Sequence, residues 1–209
     1  PSTFHYSGTP DAHTATVDWG DGSPPEAASV TEAPSGPPGN TSGTDGTVDA
    51  SHSYPDDGVF TVAVTVNDDD GASVADTLTL TVANVAPTAA AGGPYAGNEG
   101  DTIPLDGSGS SDPGNDIVSY EWDLDNDGTY DDATGATPDF SSVASGVFTI
   151  GLRVTDDDGA VGTDTTTVTV SNVAPTAVPG GPYEVNEGEQ LMTDGSGSFD
   201  PGNDIVAWE

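Results

Sequence analysis

The sequence predicts an all-β chain built from tandem two-sheet sandwiches placed end to end. Three observations predict it. A long motif returns at a fixed spacing, Val and Ile alternate with Thr along several runs, and Gly (28) and Pro (17) interrupt those runs at short intervals. Alternation of apolar and polar residues is the signature of half-buried strands, and Gly and Pro are turn residues. No stretch sustains a helical period.

The repeat sets the domain length. Gly92-Gly93-Pro94-Tyr95 returns as Gly180-Gly181-Pro182-Tyr183, Asn98-Glu99-Gly100 as Asn186-Glu187-Gly188, and Asp112–Val118 as Asp200–Val206, each 88 residues on. Gly58-Val59-Phe60-Thr61 and Asp68-Asp69-Asp70-Gly71 return at the same distance. A period of this length is a sandwich domain, too long for a solenoid unit. The register then divides the chain into residues 1–84, a sandwich lacking its first strand or strands; 85–172, a complete copy; and 173–209, the opening part of a third. The linkers Asn84-Val85-Ala86-Pro87 and Asn172-Val173-Ala174-Pro175 are short and stiffened by proline, which predicts a semi-rigid rod.

Within a copy, Val62, Val64 and Val66 alternate with polar or small residues. An acidic turn follows, and Leu78, Leu80 and Val82 alternate in the same way. That is a hairpin of the last two strands with its tip at residues 67–71. The second copy repeats it with Phe148, Ile150, Leu152 and Val154, a turn at 156–159, then Val168 and Val170. Residues 24–48, rich in Pro and Gly, belong to the first copy alone. They read as an exposed insertion carrying the sequon Asn40-Thr41-Ser42.

Charge is the second strong signal. There are 36 acidic residues against one basic residue, Arg153, for a net charge of −35. Such a surface repels nucleic acid and anionic membranes and opposes its own compaction unless cations are bound or salt is high. A solvated halophilic surface and a set of discrete cation sites both fit, and the two are compatible. Clustering of the acids in loops favours sites. With no cysteine, disulfides, thiol catalysis and thiolate zinc sites are excluded. No apolar run approaches the ~20 residues of a membrane span, and the opening residues are neither basic nor apolar enough for a secretory leader.

Calcium binds six to eight oxygen ligands on a turn that can wrap it. Asp123, Asp125 and Asp127 stand at alternate positions and Gly128 supplies the bend. Thr129 offers its carbonyl and Asp131 stands at the ninth position. This matches the front half of an EF-hand loop. It departs at the twelfth position, where Thr134 replaces the bidentate Glu, so Asp132 or a distant residue must close the shell.

The residues Val17-Asp18-Trp19-Gly20-Asp21-Gly22, His52-Ser53-Tyr54 and Gly58–Val62 resemble the pattern of polycystic-kidney-disease (PKD) domains. The second copy is a more divergent relative, with Glu121-Trp122-Asp123-Leu124 as its tryptophan strand and Ser141-Ser142 in place of His-x-Tyr. It is similar to the PKD-like modules strung together in large bacterial or archaeal surface proteins. The resemblance implies an immunoglobulin-like sandwich of seven strands with Trp19 and Trp122 in the core. It also implies an extracellular or cell-surface setting and a spacer, adhesive or filament-forming role without catalysis.

Strand reversal in such a sandwich groups the acids at two poles. Asp112, Asn115 and Asp116 join Asp156, Asp157 and Asp158 at one pole, while Glu99 and the Asp123 loop share the other. In a head-to-tail stack, Glu99 and Asp123 of the second copy meet Asp200, Asn203 and Asp204 of the third. By the same logic Asp18 and Asp21 of the first copy are expected to face Asp112, Asn115, Asp116 and the Asp156–Asp158 turn of the second, and the hairpin acids Asp68 and Asp70 are further candidate ligands. The expected cofactor is calcium (Ca2+) at or near these junctions. The expected partners are neighbouring repeats, through self-assembly into a filament or surface layer. Two alternatives remain: a polysaccharide-binding accessory domain of a secreted hydrolase, and a homophilic adhesin. Catalysis lacks a constellation. The three histidines are scattered, no Gly-x-Ser-x-Gly elbow occurs, and carboxylate pairs are inevitable in so acidic a chain.

Overall fold

The computed structural model describes residues 2–6, 12–32 and 44–207, all of them strand, turn or irregular structure. Among these residues no helix is long and apolar enough to cross a membrane. The chain divides into two compact units, 1–84 and 85–209.

The first unit contains β1 (Ser2–Tyr6), β2 (His13–Asp18), β3 (Glu26–Glu32), β4 (Thr44–Asp49), β5 (Gly58–Asp68) and β6 (Ser73–Val82), in the sheet order β1-β4-β3-β2-β5-β6. The β5–β6 hairpin forms where alternation predicts it, and Val62 opposes Leu78. Val62 and Val66 point inward while the flanking threonines do not. At the tip, Asp68 accepts from the Ala72 amide at 2.7 Å, so one acid of this turn serves the turn itself.

The insertion differs from expectation. Ala28 and Val30 alternate with Ala27, Ser29 and Thr31, and the segment is strand β3, with β4 following. Of that stretch, residues 33–43, including the sequon, lie outside the described residues. β3 pairs with β2 through Glu26–Ala28 and with β4 through Ser29–Glu32. Passing from one partner to the other lets a single sheet curl around a small core of Ala15, Val48 and Val66, with Phe4, Ala28, Val30 and Val64 beside it.

The second unit contains β7 (Tyr95–Asn98), β8 (Thr102–Pro104), β9 (Ile117–Asp123), β10 (Ala133–Thr134), β11 (Asp139–Ser141), β12 (Gly146–Asp156) and β13 (Val161–Ser171). Five strands form one sheet, β10-β9-β12-β13-β7, and β8 pairs with β11 in a second. β7 runs parallel to β13, so the chain's first strand closes against its last. This is the immunoglobulin-like arrangement. Trp122, Ile150, Leu152, Val154 and Val168 are fully buried between the sheets, with Ile103, Leu105 and Phe140 facing them. The Trp122 indole N–H donates to the Gly135 carbonyl at 2.9 Å, which satisfies the one polar atom of the core ring. Gly162 is required because a Cβ there would meet the Pro87 carbonyl oxygen.

Residues 173–207 rebuild the opening of the second copy. Tyr95 Oη donates to Ala91 O and accepts from Asp106 N, and Tyr183 Oη does the same with Pro179 and Asp194. The bridge Thr88–Ser111 returns as Thr176–Phe199. Leu191 is nonetheless 47% exposed, whereas its counterpart Ile103 is 5% exposed.

Candidate cation sites at the acidic loops

β9 ends at Asp123, and the following loop turns back on it. Asn126 and Gly128 hold the left-handed backbone, at φ 59° and 90°, that the reversal requires. Asp123, 4% exposed, accepts from Asp127 N and Gly128 N at 3.2 and 2.9 Å. Asp125 also accepts from Asp127 N, and Asp127 from Thr129 N. One carboxylate oxygen from each of Asp123, Asp125 and Asp127 lies within 4.8 Å of the other two. The alternate spacing therefore produces the convergence expected of it. The Asp127 amide favours a charged Asp125, but desolvation and the charges of Asp127, Asp132 and Asp123 outweigh it and raise its pKa.

Asp132 does something the sequence did not suggest. Its Oδ2 accepts from Leu124 N at 2.6 Å and Asp125 N at 3.1 Å, bracing the loop from behind. Asp131 is exposed and stands apart from the converging trio.

A second cluster forms at the opposite pole. Asp116, from the turn before β9, meets Asp157 and Asp158 of the β12–β13 hairpin, again within 4.8 Å. Asp112 Oδ2 accepts from Gly114 N, and Asn115 adopts φ 60° to close the turn. Asp112 Oδ1 and Asp116 Oδ1 are buried without hydrogen-bond partners. Asp156 is buried and caps its own hairpin through Ala160 N at 2.6 Å.

Burial, with the hydrogen bond and charge of Asp112 and the charge of Asp157, raises Asp116 to a pKa of about 6. The folded state then holds this proton more tightly than the unfolded chain, so the contribution to stability is present at low pH and lost as pH rises through about 6. In calcium-free buffer, the stability difference between wild type and Asp116→Asn is expected to shrink on acidification from pH 7 to pH 5. Denaturant midpoints measure it, and a difference independent of pH would refute the assignment.

At the junction within the second unit, Glu99 meets the third copy's turn. Asp204 is raised by its hydrogen bond to and the charge of Asp200, by desolvation, and by Glu99. Asn203, at φ 55°, closes this turn as Asn115 closes its counterpart.

In the first unit, Asp21 is engaged by the domain itself. It accepts from Ser23 and lies 2.7 Å from His52 Nε2; the Ser23 hydroxyl above all, then His52, holds its pKa well below the usual carboxylate range. His52 stacks on Trp19 at 4.9 Å and meets the edge of Tyr54, whose hydroxyl donates to Trp19 O. Trp19 is thus a half-exposed partner of this corner and no counterpart of the buried Trp122. Asp18 accepts from Gly20 N. Among the described residues, Asp18, Asp68 and Asp70 belong to neither converging trio.

Residues 84–170 match the family model of the PKD domain. This segment is a PKD domain. The match falls on the copy whose tryptophan strand departs from the pattern seen in the first. The human dyslexia-associated protein KIAA0319 is 39% identical over 126 residues, 54% of this chain and 11% of that protein. The rat homologue is 35% identical over 161 residues, 69% of this chain and 14% of its own length. The chain therefore spans a small part of the curated relatives it matches. Among solved structures, the PKD1 domain of Vibrio anguillarum Epp is 32% identical, covering 42% of this chain and 96% of that one, at a TM-score of 0.35. The PKD1 domain of the Vibrio cholerae metalloprotease PrtV is 35% identical, covering 41% and 98%, at 0.33.

Proposed function

We propose that this chain is a non-catalytic, extracellular structural module whose PKD-type repeats act as spacers or adhesive units and are stiffened by calcium bound at acidic loops. The observation that carries the calcium reading is the convergence of Asp123, Asp125 and Asp127 on a loop whose Leu124 and Asp125 amides donate to Asp132. Three carboxylates so close repel one another until a cation neutralises them, and an all-oxygen set on a glycine-containing turn suits calcium. The family match supports the spacer role, and the repeated Tyr95 and Tyr183 networks support a serial architecture. We extend this reading to self-assembly with like repeats, into a filament or surface layer. The carbohydrate-binding alternative gains nothing from the indoles, since Trp122 is buried and Trp19 has one face on His52.

Calorimetric unfolding in calcium, in EDTA, and in EDTA with concentrated sodium chloride tests the proposal. Calcium at 100 times its Kd is expected to add about 2.7 kcal/mol to the domain that binds it, and salt is expected not to reproduce the shift. Equal rescue by salt would mean a screened halophilic surface without specific sites.

A further inference from the structure

β6 is the last strand of the first unit's sheet, and no strand among the described residues pairs with its outer edge. In the second unit the same edge is covered. There β7 runs parallel to β13, with Tyr95 opposite Val168 and Asn98 opposite Ser171. The 88-residue offset sets residues 80–83 where 168–171 stand. Val168 and Val170 are 0% and 3% exposed, whereas Leu80 and Val82 are half-buried and Leu78 is 49% exposed. The outer strands β1 and β6 also line an open groove of about 370 Å³, walled by Phe4, Val48, Val64 and Leu78, so the curled sheet does not close. β6 contains no Pro or Lys to blunt its edge and pairs with β5 without a bulge. Such an edge is a template for another strand.

The chain also holds the counterpart of β7 without a sheet beside it. Residues 183–186 keep the Tyr and Asn of residues 95–98 at the same offset, yet they form no strand. Tyr183 and Val185 are 39% and 52% exposed. Their alternation fits the uncovered edge. In β7, Tyr95 and Gly97 are the less exposed pair, beside Val168 and Val170. The same register sets Tyr183 beside Leu80 and Val185 beside Val82, and turns Glu184 and Asn186 to solvent. Leu191, the counterpart of buried Ile103, then follows onto the apolar face.

We propose that residues 183–193 of one copy of this chain add to the β6 edge of another copy, with Tyr183 set parallel to Leu80 in the register of β7 on β13. The occupant is a second copy because the chain carries both halves of an interface that it already forms once within the second unit. Backbone hydrogen bonds supply the attachment, and the places for Tyr183 and Val185 supply the register. The contact joins unlike surfaces, so it propagates head to tail into a filament or closes into a ring. Two departures from the second unit confine the match to this stretch. Val74 takes the place of Gly162, past which the Pro87 carbonyl runs, and Pro179 has no N–H to give Asp76 as Ala91 gives Asp164. The net charge of −35 opposes the association of copies until salt screens it. This deepens the self-assembly reading above and rests on it, but it does not depend on calcium.

Sedimentation velocity and hydrogen exchange on the full chain, in EDTA with concentrated sodium chloride, test the edge. The sedimentation coefficient is expected to rise with protein concentration, and exchange at residues 80–83 to slow by about tenfold or more on assembly. Val185→Asp sets a charge beside Val82 through a side chain that is already exposed, so the fold is spared, and this variant is expected to stay monomeric. Leu191→Asp is expected to weaken assembly in the same way. A peptide of residues 180–194 in excess is expected to break up the wild-type oligomer while keeping 80–83 protected. A wild-type chain that is monomeric at every concentration, or assembly undiminished in Val185→Asp, would overturn the proposal. Protection of 80–83 independent of concentration would also overturn it, because the added strand would then come from the same chain. Assembly that needs calcium and survives Val185→Asp would sink the edge and leave the acidic-loop reading standing. Assembly in EDTA that Val185→Asp abolishes, with no calcium shift in calorimetry, would support the edge and sink the loops.

Discussion

Trp122→Ala is expected to collapse the PKD domain and leave the first unit folded. The indole is fully buried beside Leu152, its neighbour across the sheet, and a Cβ on Gly107 would already stand 3.0 Å from the ring. Truncation leaves a large cavity in a sandwich with few other bulky core residues, at a cost of about 3–5 kcal/mol. It also removes the donor to Gly135 O, part of the 133–136 stretch that carries β10. Against a total of ~5–15 kcal/mol for a domain, that is a large fraction. In calorimetry, one transition is expected to fall by roughly 12–40 °C while the other holds, given ~4–8 °C per kcal/mol in domains of this size. A single transition moving as a whole would mean that the two units do not unfold independently.

The same residue shows what was legible in advance. Trp122 holds the core position that the family resemblance implied, and it is fully buried. The period of 88 residues and the two terminal hairpins were equally open to reading, because local alternation and turn chemistry set them. The curl of the first unit was not. It depends on β3 changing partners at Ser29, which Ala28 and Val30 permit but do not announce amid Pro- and Gly-rich sequence. Trp19 misled for a related reason. Its strand resembles the other copy, yet the nearby His52 gives the ring a stacking partner at the surface. Of the acids, the alternating trio was readable because spacing alone brings Asp123, Asp125 and Asp127 together. Asp132 was offered by the sequence as a residue that could close the shell, and only the structure shows that its Oδ2 also accepts from two loop amides. The approach of Glu99 to the Asp200 turn was readable from strand reversal and stacking, whereas the depth at which both carboxylates are buried was not.

Asp125→Asn and Asp132→Ala are expected to part company when calcium is removed, although both weaken calcium binding. Asp125 is exposed and surrounded by Asp123, Asp127 and Asp132, which raise its pKa. In EDTA, neutralising it relieves repulsion, so Asp125→Asn should be as stable as wild type or slightly more so. In calcium it should lose most of the added stability, about 2.7 kcal/mol at 100 times the wild-type Kd. Asp132→Ala instead strips the acceptor from the Leu124 and Asp125 amides. That should cost about 1–3 kcal/mol with or without metal. Asp132→Asn, which keeps one acceptor oxygen, should recover part of it. Denaturant titrations of the three variants in calcium and in EDTA decide the matter. If Asp125→Asn proved destabilising in EDTA, that carboxylate would be a structural cap like Asp132, and the converging trio would lose its claim as a cation site. If Asp132→Ala were silent in EDTA, the loop would not depend on its brace.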